Sequence, residues 1–307
     1  WPSSTVYWVQ NPNSNVQFEL RSEAMKLLGV QEDAGKMPQV IAARQRGEAF
    51  MRQNQWDKAI AEFSRSLDLD PADLISRRLR AQAYFALKNW VKAAADYGEL
   101  IKFEPNNPSA WVDRGAALNN AGKYKEGIAD NTKAIELNSK HALAWKNRGW
   151  AWVRLKEWDK AVADFSEVIK LQPTNAQAWA RRGECHVHLG KWDDAKKDFE
   201  KQLELNPNPW TQHVLARFLA TVPDPKVQDP GRAVELATRS VKAVPTSAVY
   251  LSTLGAAQYR AGNWKAACEA LTKSLELRKG GDAFDCFFAA MTHWQLGQKE
   301  EARKSYD

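Results

Sequence analysis

The sequence predicts an all-α fold, an α-solenoid of about seven or eight stacked helical hairpins behind an irregular N-terminal arm. The main observation is a period of 34 residues, at which a small residue, an aromatic residue and a second small residue return in register. A proline closes four of the first five periods, where a helix has to end. Because each repeat buries its apolar face only against its neighbours, such a chain grows by stacking and has no single central core.

Composition narrows the classes of protein to consider. Hydrophobic residues make up 44% and charged residues 26% of the 307 residues, and no apolar run approaches the roughly 20 residues of a membrane-spanning helix. The net charge of +7 favours acidic partners over basic ones. Cys185, Cys268 and Cys286 lack paired spacing, which indicates buried free thiols and leaves the compartment open.

Residues 1–39 precede the period and form the predicted arm or cap. Residues 6–9 and 16–20 are β-prone on either side of a turn rich in asparagine, but a helix from about residue 15 to Gly29 fits equally well. A cap, a linker and a strand-like arm lying on the array therefore stay open as alternatives. Because the chain lacks an initiator methionine and ends at Asp307 within a predicted helix, we expect it to be part of a longer protein.

Eight repeats follow, each with a first helix (helix A) at about positions 2–14 and a second helix (helix B) at about positions 18–31 of the period. Asparagine or glycine near position 15 is expected to make the turn between them, as at Asn54, Gly122 and Gly190. Three prolines between Pro223 and Pro230 stretch this turn in the sixth repeat, and the eighth repeat is truncated. The predicted repeats span residues 40–73, 74–107, 108–141, 142–175, 176–209, 210–247, 248–282 and 283–307.

The spacing within each period resembles that of the tetratricopeptide repeat. The fourth repeat, ALAWKNRGWAWVRLKEWDKAVADFSEVIKLQPTN, carries the small, aromatic, alanine and proline positions of that family, and the pattern covers residues 40–307. Further along, LARFLATVPDP and LSTLGAAQYRAGNW are similar to arrays appended to large bacterial multidomain proteins. The resemblance implies a right-handed superhelix that binds an extended peptide in a concave groove lined by helix A of each repeat.

Position 7 holds arginine in the first five repeats, where the resembled family usually has an apolar residue, and position 23 holds an acid in the same repeats. The two positions are equally far from the turn, so they face each other across the hairpin. Both charges are missing together in later repeats, as at Leu215 and Leu236. We therefore expect ion pairs within each repeat rather than a ladder for phosphate or an acidic peptide. The predicted structural pairs are Arg46–Glu62, Arg80–Asp96, Arg114–Asp130, Arg148–Asp164 and Arg182–Asp198.

Fourteen tryptophans suggest nucleic-acid stacking, but nine of them fall on positions 4, 11 and 17 of the period, which are packing positions. This register and the 34-residue period argue against RNA binding. The tryptophans that lie off the packing register, and so are available for function, are Trp1, Trp8, Trp150, Trp210 and Trp294.

Positions 2, 5, 9 and 12 of helix A lie about 130° from the packing stripe and would line the groove. These positions are too apolar for a solvated surface. They therefore form a binding site, or neighbouring helices or the arm cover them. Trp150 beside Lys146, Asn147 and Arg181 suits a peptide with an acidic or hydrophobic anchor. Only Asn147 and Arg181 match the family's carboxylate clamp, so binding of a chaperone tail is not expected. The predicted groove residues are Arg44, Arg78, Phe85, Lys146, Asn147, Trp150, Arg181 and Glu184.

The sequence contains no catalytic constellation, phosphate loop or cofactor motif. Cys185, His186 and His188 spread around their helix rather than converge on a metal ion. The leading interpretation is a non-catalytic scaffold for a protein or peptide, with no metal and no cofactor. One alternative is self-association into a homo-oligomer through the arm 1–39 or the truncated last repeat, and a weaker alternative is RNA binding.

Overall fold

The computed structural model describes residues 22–23, 25–29, 35–279 and 282–306, and these residues form helices, turns and loops without a strand. The helices follow one another as consecutive hairpins, which confirms the predicted all-α solenoid. They belong to two compact units that divide after Glu157, and each unit is described by itself. Among the described residues, no helix is long and apolar enough to cross a membrane.

In the first unit, odd-numbered helices are the A helices of their repeats and even-numbered helices are the B helices. From the second repeat onward, each begins and ends one position earlier than predicted. At α3 and α5 the residue before the helix accounts for the earlier start, because Asp73 and Asn107 cap these helices by accepting from the backbone N–H of Ser76 and Ser109. The helices are α1 (Met37–Arg52), α2 (Trp56–Leu69), α3 (Leu74–Ala86), α4 (Trp90–Phe103), α5 (Pro108–Asn120), α6 (Tyr124–Leu137) and α7 (Ala142–Arg154).

The second unit opens on a B helix and continues the same alternation. In the sixth repeat the stretched turn packs on the protein, because Val222 and Val227 are buried with Leu219 and Leu236 in one core cluster. The helices are α8 (Trp158–Leu171), α9 (Ala176–His188), α10 (Trp192–Leu205), α11 (Pro209–Thr221), α12 (Pro230–Ala243), α13 (Ala248–Arg260), α14 (Trp264–Arg278), α15 (Ala283–Gln295) and α16 (Lys299–Tyr306).

The described end of the N-terminal arm is helical at residues 22–23 and 25–28, and Gly29 follows with a φ of 65°. Met25 packs against Ala72 and Phe103, which lie in the loop before α3 and at the end of α4. This end of the arm therefore contacts the array as a helix rather than as a strand. The β-prone residues 6–9 and 16–20 lie outside the described residues.

A left-handed residue stands at the turn between helix A and helix B. Asn54, Gly122 and Gly190, where the turn was expected, have φ values of 57°, 79° and 70°. Lys88 and Lys156 take the same conformation at 59° and 60°, although lysine gives no signal for it in the sequence. The tight turn between the helices imposes the left-handed φ on these two residues.

In the first and seventh repeats, the core of the hairpin has a glycine at position 8 that faces a large residue at position 24. A Cβ built on Gly47 would lie 2.5 Å from the ring of Phe63, and one built on Gly255 would lie 2.4 Å from Leu271. These distances are too short for carbon atoms in van der Waals contact. Glycine at position 8 therefore lets the two helices of the hairpin approach closely enough to bury the large side chain.

Candidate functional site

Arginines at position 7 contact the acids at position 23, sixteen residues later. Nε and Nη2 of Arg80 donate to the two oxygens of Asp96 at 2.8 and 2.7 Å. Arg114 and Asp130 make the same two bonds at 2.7 Å each. This bidentate geometry, with the carboxylates buried, occupies two donors of each guanidinium.

Two further predicted ion pairs are also formed, one in each unit. Arg182 donates to both oxygens of Asp198 at 3.0 and 2.7 Å, and Arg46 lies 2.8 Å from Glu62 at a more exposed place. The remaining pair joins Arg148 and Asp164, which lie in different units, so that pair stays a prediction.

The same arginines also bind a hydroxyl in the preceding repeat, a contact that the sequence reasoning missed. Nη1 of Arg80 donates to Ser64 at 3.1 Å, and Nη1 of Arg182 donates to Ser166 at 3.0 Å. Arg148 makes the corresponding bond to Thr132 at 3.0 Å. In each case the hydroxyl lies sixteen residues before the arginine. Each of these side chains therefore links its own repeat to the one before it.

Tryptophans at position 4 stack on these arginines and fix the turn between repeats. The guanidinium carbon of Arg114 lies 5.0 Å from the ring of Trp111, and the indole N–H of Trp111 donates to the carbonyl of Pro105 at 2.8 Å. Trp145 and Trp179 make the same pair of contacts. These three tryptophans are structural, and this leaves little of the arginine ladder for a ligand.

In the first unit, two of the predicted groove cations are already paired. Arg44 donates to Asp73 at 3.1 Å, and Asp73 is the buried cap of α3. Arg78 donates to Glu104 at 2.7 Å. Burial raises the pKa of the nearby Asp113 carboxyl to about 6, and the charge of Arg78 opposes this shift. Neither arginine therefore offers an acidic ligand an unpaired charge.

Phe85, Lys146 and Asn147 are partly buried. Phe85 packs edge-on against Trp90, with ring centroids 4.7 Å apart. Lys146 is half-buried, and desolvation lowers the pKa of its ammonium group. The main-chain carbonyl of Asn147 accepts from Asn119 at 3.0 Å.

Trp150 is part of an aromatic platform with two residues that the sequence reasoning did not single out. Its ring lies edge-on to Tyr124, with centroids 5.9 Å apart. Arg154 sits over both rings at 5.7 and 5.8 Å, and its Nε donates to the Tyr124 hydroxyl at 3.1 Å. We call Tyr124, Trp150 and Arg154 the Trp150 platform.

In the second unit, Arg181 and Glu184 pair with each other along one face of α9, at 2.7 Å. Both side chains are exposed, so the pair is a weak surface contact. Arg181 and the Trp150 platform belong to different units. The predicted cluster of Trp150, Lys146, Asn147 and Arg181 therefore stays a prediction.

A second exposed aromatic surface lies on α15. Phe287 and Trp294 are 52% and 62% exposed, and with Met291 they line a cavity of about 350 Å³. These three residues occupy positions 5, 9 and 12 of the eighth repeat, the positions predicted to line the groove. The sequence thus carried the signal, although only Trp294 was singled out. We call Phe287, Met291 and Trp294 the α15 aromatic face.

The histidines of α9 have packing roles, whereas Trp210, which lies off the packing register, is 56% exposed. His186 is buried and lies 3.0 Å from Asp198, whereas His188 stacks on Trp158 with ring centroids 4.0 Å apart. Trp264, assigned to packing by its register, is 39% exposed in the structure. It is the first residue of α14.

The sequence matches profiles of one family in four places. Each profile is described as tetratricopeptide repeat, and together the matches cover just over half of the chain. The matched residues are 44–110, 142–175, 176–209 and 286–307. A search of curated protein sequences found no match.

Three solved structures illustrate the similarity in fold. The C-terminal part of a TPR repeat-containing protein from Cytophaga hutchinsonii aligns with a TM-score of 0.64 at 18% identity, over 78% of this chain and 97% of that one. PilW, a type IV pilus biogenesis factor, aligns with a TM-score of 0.58 at 18% identity, over 70% and 98%. MamA aligns with a TM-score of 0.52 at 22% identity, over 56% and 92%. At these identities the similarity concerns the fold alone.

Proposed function

Because the chain belongs to the tetratricopeptide repeat family, we propose that it is a non-catalytic scaffold that binds a partner protein or peptide on its A helices. The observation that carries this proposal is the α15 aromatic face, where two large side chains are more than half exposed beside a cavity. Exposed aromatic area of this kind is typical of interaction sites, and buried aromatic anchors dominate the energy of interfaces.

The pairing of the cations favours a hydrophobic anchor over an acidic one. Arg44, Arg78 and Arg181 each lie within 3.1 Å of a carboxylate of this chain. An acidic peptide would have to displace those carboxylates, whereas an apolar side chain needs only the aromatic surface. The Trp150 platform offers a second such surface in the first unit.

The experiment compares partners that co-purify with the full chain and with a Phe287→Ala/Trp294→Ala variant, quantified by mass spectrometry. We expect at least about a tenfold loss of the bound partners, since interface aromatics each contribute about 2 kcal/mol or more. Leu277→Ala is the matched control, because Leu277 is an exposed apolar residue on the B helix α14. An unchanged set of partners in the double variant would contradict the proposal, and Trp150→Ala tests the first unit in the same way.

Self-association is the second candidate, because the same aromatic face could pack on another copy of the chain. Light scattering at several protein concentrations distinguishes the two. A mass that rises with concentration in the wild type and not in the Phe287→Ala/Trp294→Ala variant would favour self-association. A constant monomer mass would leave the partner-binding proposal alone.

A further inference from the structure

We propose that the cleft between α4 and α6 in the first unit is a second binding site, for an uncharged, extended segment of a partner protein. A main-chain carbonyl of that segment accepts a hydrogen bond from Nη1 of Arg114. The cleft has a volume of about 610 Å³, which is typical of ligand-binding pockets. It is lined by the B helices α4 and α6 and by Arg114 and Leu118 of α5, and it contains none of the predicted groove residues and neither of the two aromatic surfaces described above.

The cleft exists because position 25 of the second repeat is a glycine. In three other repeats, position 25 carries a hydroxyl group, on Ser64, Thr132 or Ser166. That hydroxyl accepts a hydrogen bond from the arginine at position 7 of the next repeat. Gly98 has no side chain that could reach across, and the neighbouring Ala94 and Ala129 are also small. The space that a hydroxyl-bearing side chain fills elsewhere is open here.

Nη1 of Arg114 is the guanidinium nitrogen that faces Gly98 in this cleft. Nε and Nη2 of Arg114 donate to Asp130, but within residues 22–23, 25–29, 35–279 and 282–306 nothing accepts from its Nη1. This N–H is therefore open to an acceptor from outside the chain, either water or a polar group of a partner. In the equivalent places the acceptor is a neutral hydroxyl oxygen. A neutral carbonyl oxygen offers the same chemistry.

The charge of the lining argues against a nucleic acid or a charged tail. Three cations line the cleft, and three acids balance them. Lys102 lies 2.7 Å from Glu99, and Lys123 lies 3.7 Å from Glu126. With Arg114 paired to Asp130, the lining has no net charge to attract a polyanion or a polycation.

The shape of the lining favours a main chain in extended conformation. A backbone can approach closely at Gly98 and at the alanines of the cleft, because these residues have little or no side chain. Val91, which is 63% exposed, and Leu118 provide the apolar contacts. An extended segment has carbonyls available for Arg114, whereas a helix uses its own carbonyls internally.

The test uses Gly98→Ser, which copies the residue of the first and fourth repeats into the second. A Cβ at this position would lie 3.6 Å from Nη1 of Arg114, an ordinary contact, so the substitution fits. Gly98→Ala is the matched control, since it adds the same Cβ without the hydroxyl. Circular dichroism and thermal unfolding of the full-length variants establish that both are folded.

Displayed random heptapeptides are selected on the wild-type chain, and the recovered peptides are measured on both variants by fluorescence anisotropy. We expect peptides depleted of charged residues, with affinity at least about tenfold weaker for Gly98→Ser and less affected by Gly98→Ala. We also expect a higher Tm for Gly98→Ser than for Gly98→Ala, because the new hydroxyl accepts from Arg114. Peptides enriched in charge, equal affinity for all three proteins, or equal Tm values for the two variants would overturn the proposal. Peptides that respond to Trp150→Ala or Trp294→Ala instead belong to the A-helix surfaces.

Discussion

Arg80 and Asp96, sixteen residues apart, form two parallel hydrogen bonds of 2.8 and 2.7 Å across their hairpin. The carboxylate is buried, and the hydrogen bond to Asp96 raises the pKa of the guanidinium even though desolvation opposes that shift. The third donor of Arg80 goes to Ser64 in the repeat before. One side chain thus stabilises a hairpin and its junction with the neighbouring hairpin.

Arg80→Ala should lower the free energy of unfolding by about 3 kcal/mol, because it leaves the buried Asp96 without a counter-charge. Arg80→Leu/Asp96→Leu should cost much less, since no charge then remains buried. Urea denaturation followed by circular dichroism measures both. Equal losses in the single and double variants would show that the pair does not act as a unit.

Ser166→Ala should cost about 1 kcal/mol, because it removes the hydrogen bond from Nη1 of Arg182 while leaving the bonds to Asp198 in place. Ser166→Thr should be close to neutral, since Thr132 already plays this part for Arg148. Thermal unfolding compares the three proteins. A Ser166→Thr variant as unstable as Ser166→Ala would rule out the hydroxyl as the relevant group.

Acidification should destabilise the second unit through His213. Burial, with a smaller contribution from the charge of Arg217, lowers the pKa of this imidazole to about 4, and its Nδ1 lies 2.8 Å from the Thr253 hydroxyl. The unfolded chain takes up the proton near pH 6.5. The neutral imidazole of His213 therefore makes its full contribution to stability above pH 6.5. This contribution is lost progressively as the pH falls towards 4.

The loss between pH 7 and pH 5 should be about 1–2 kcal/mol, measured by urea denaturation at both values. His213→Gln removes the titrating group and should lose this part of the pH dependence. The comparison between the two proteins is needed because burial raises the pKa of Asp113, which acts in the opposite direction. The same pH dependence in both proteins would show that another group is responsible.

Contacts within one hairpin could be predicted from the sequence, because they depend only on the distance of two residues from a shared turn. The facing of Arg114 and Asp130 follows from that symmetry, as does the small residue opposite Phe63. Contacts between repeats could not be predicted in the same way, since they require the placement of one hairpin on the next. A serine or threonine sixteen residues before the arginine can be read from the sequence. Nothing in the sequence around Ser64, however, identifies it as a partner of Arg80.

Exposure was the least predictable property of the candidate site. The period assigns Trp150 and Trp294 to the same face of helix A, yet Trp150 packs on Tyr124 and Arg154 while Trp294 is largely exposed. The difference arises from the neighbours that each helix has, which a one-dimensional register does not contain. The pairing of Arg44 and Arg78 with acids of other helices has the same origin.

The hydroxyl partners of Arg80 and Arg182 lie sixteen residues before the arginine, and their carboxylate partners lie sixteen residues after it. Duplicating or deleting one whole 34-residue unit leaves the sixteen-residue spacing between arginine and acid unchanged within the remaining hairpins. An insertion of any other length inside a hairpin separates the arginine from its acid. Evolution can thus lengthen or shorten this protein in steps of one repeat without disturbing the spacing of arginine and acid inside the remaining hairpins.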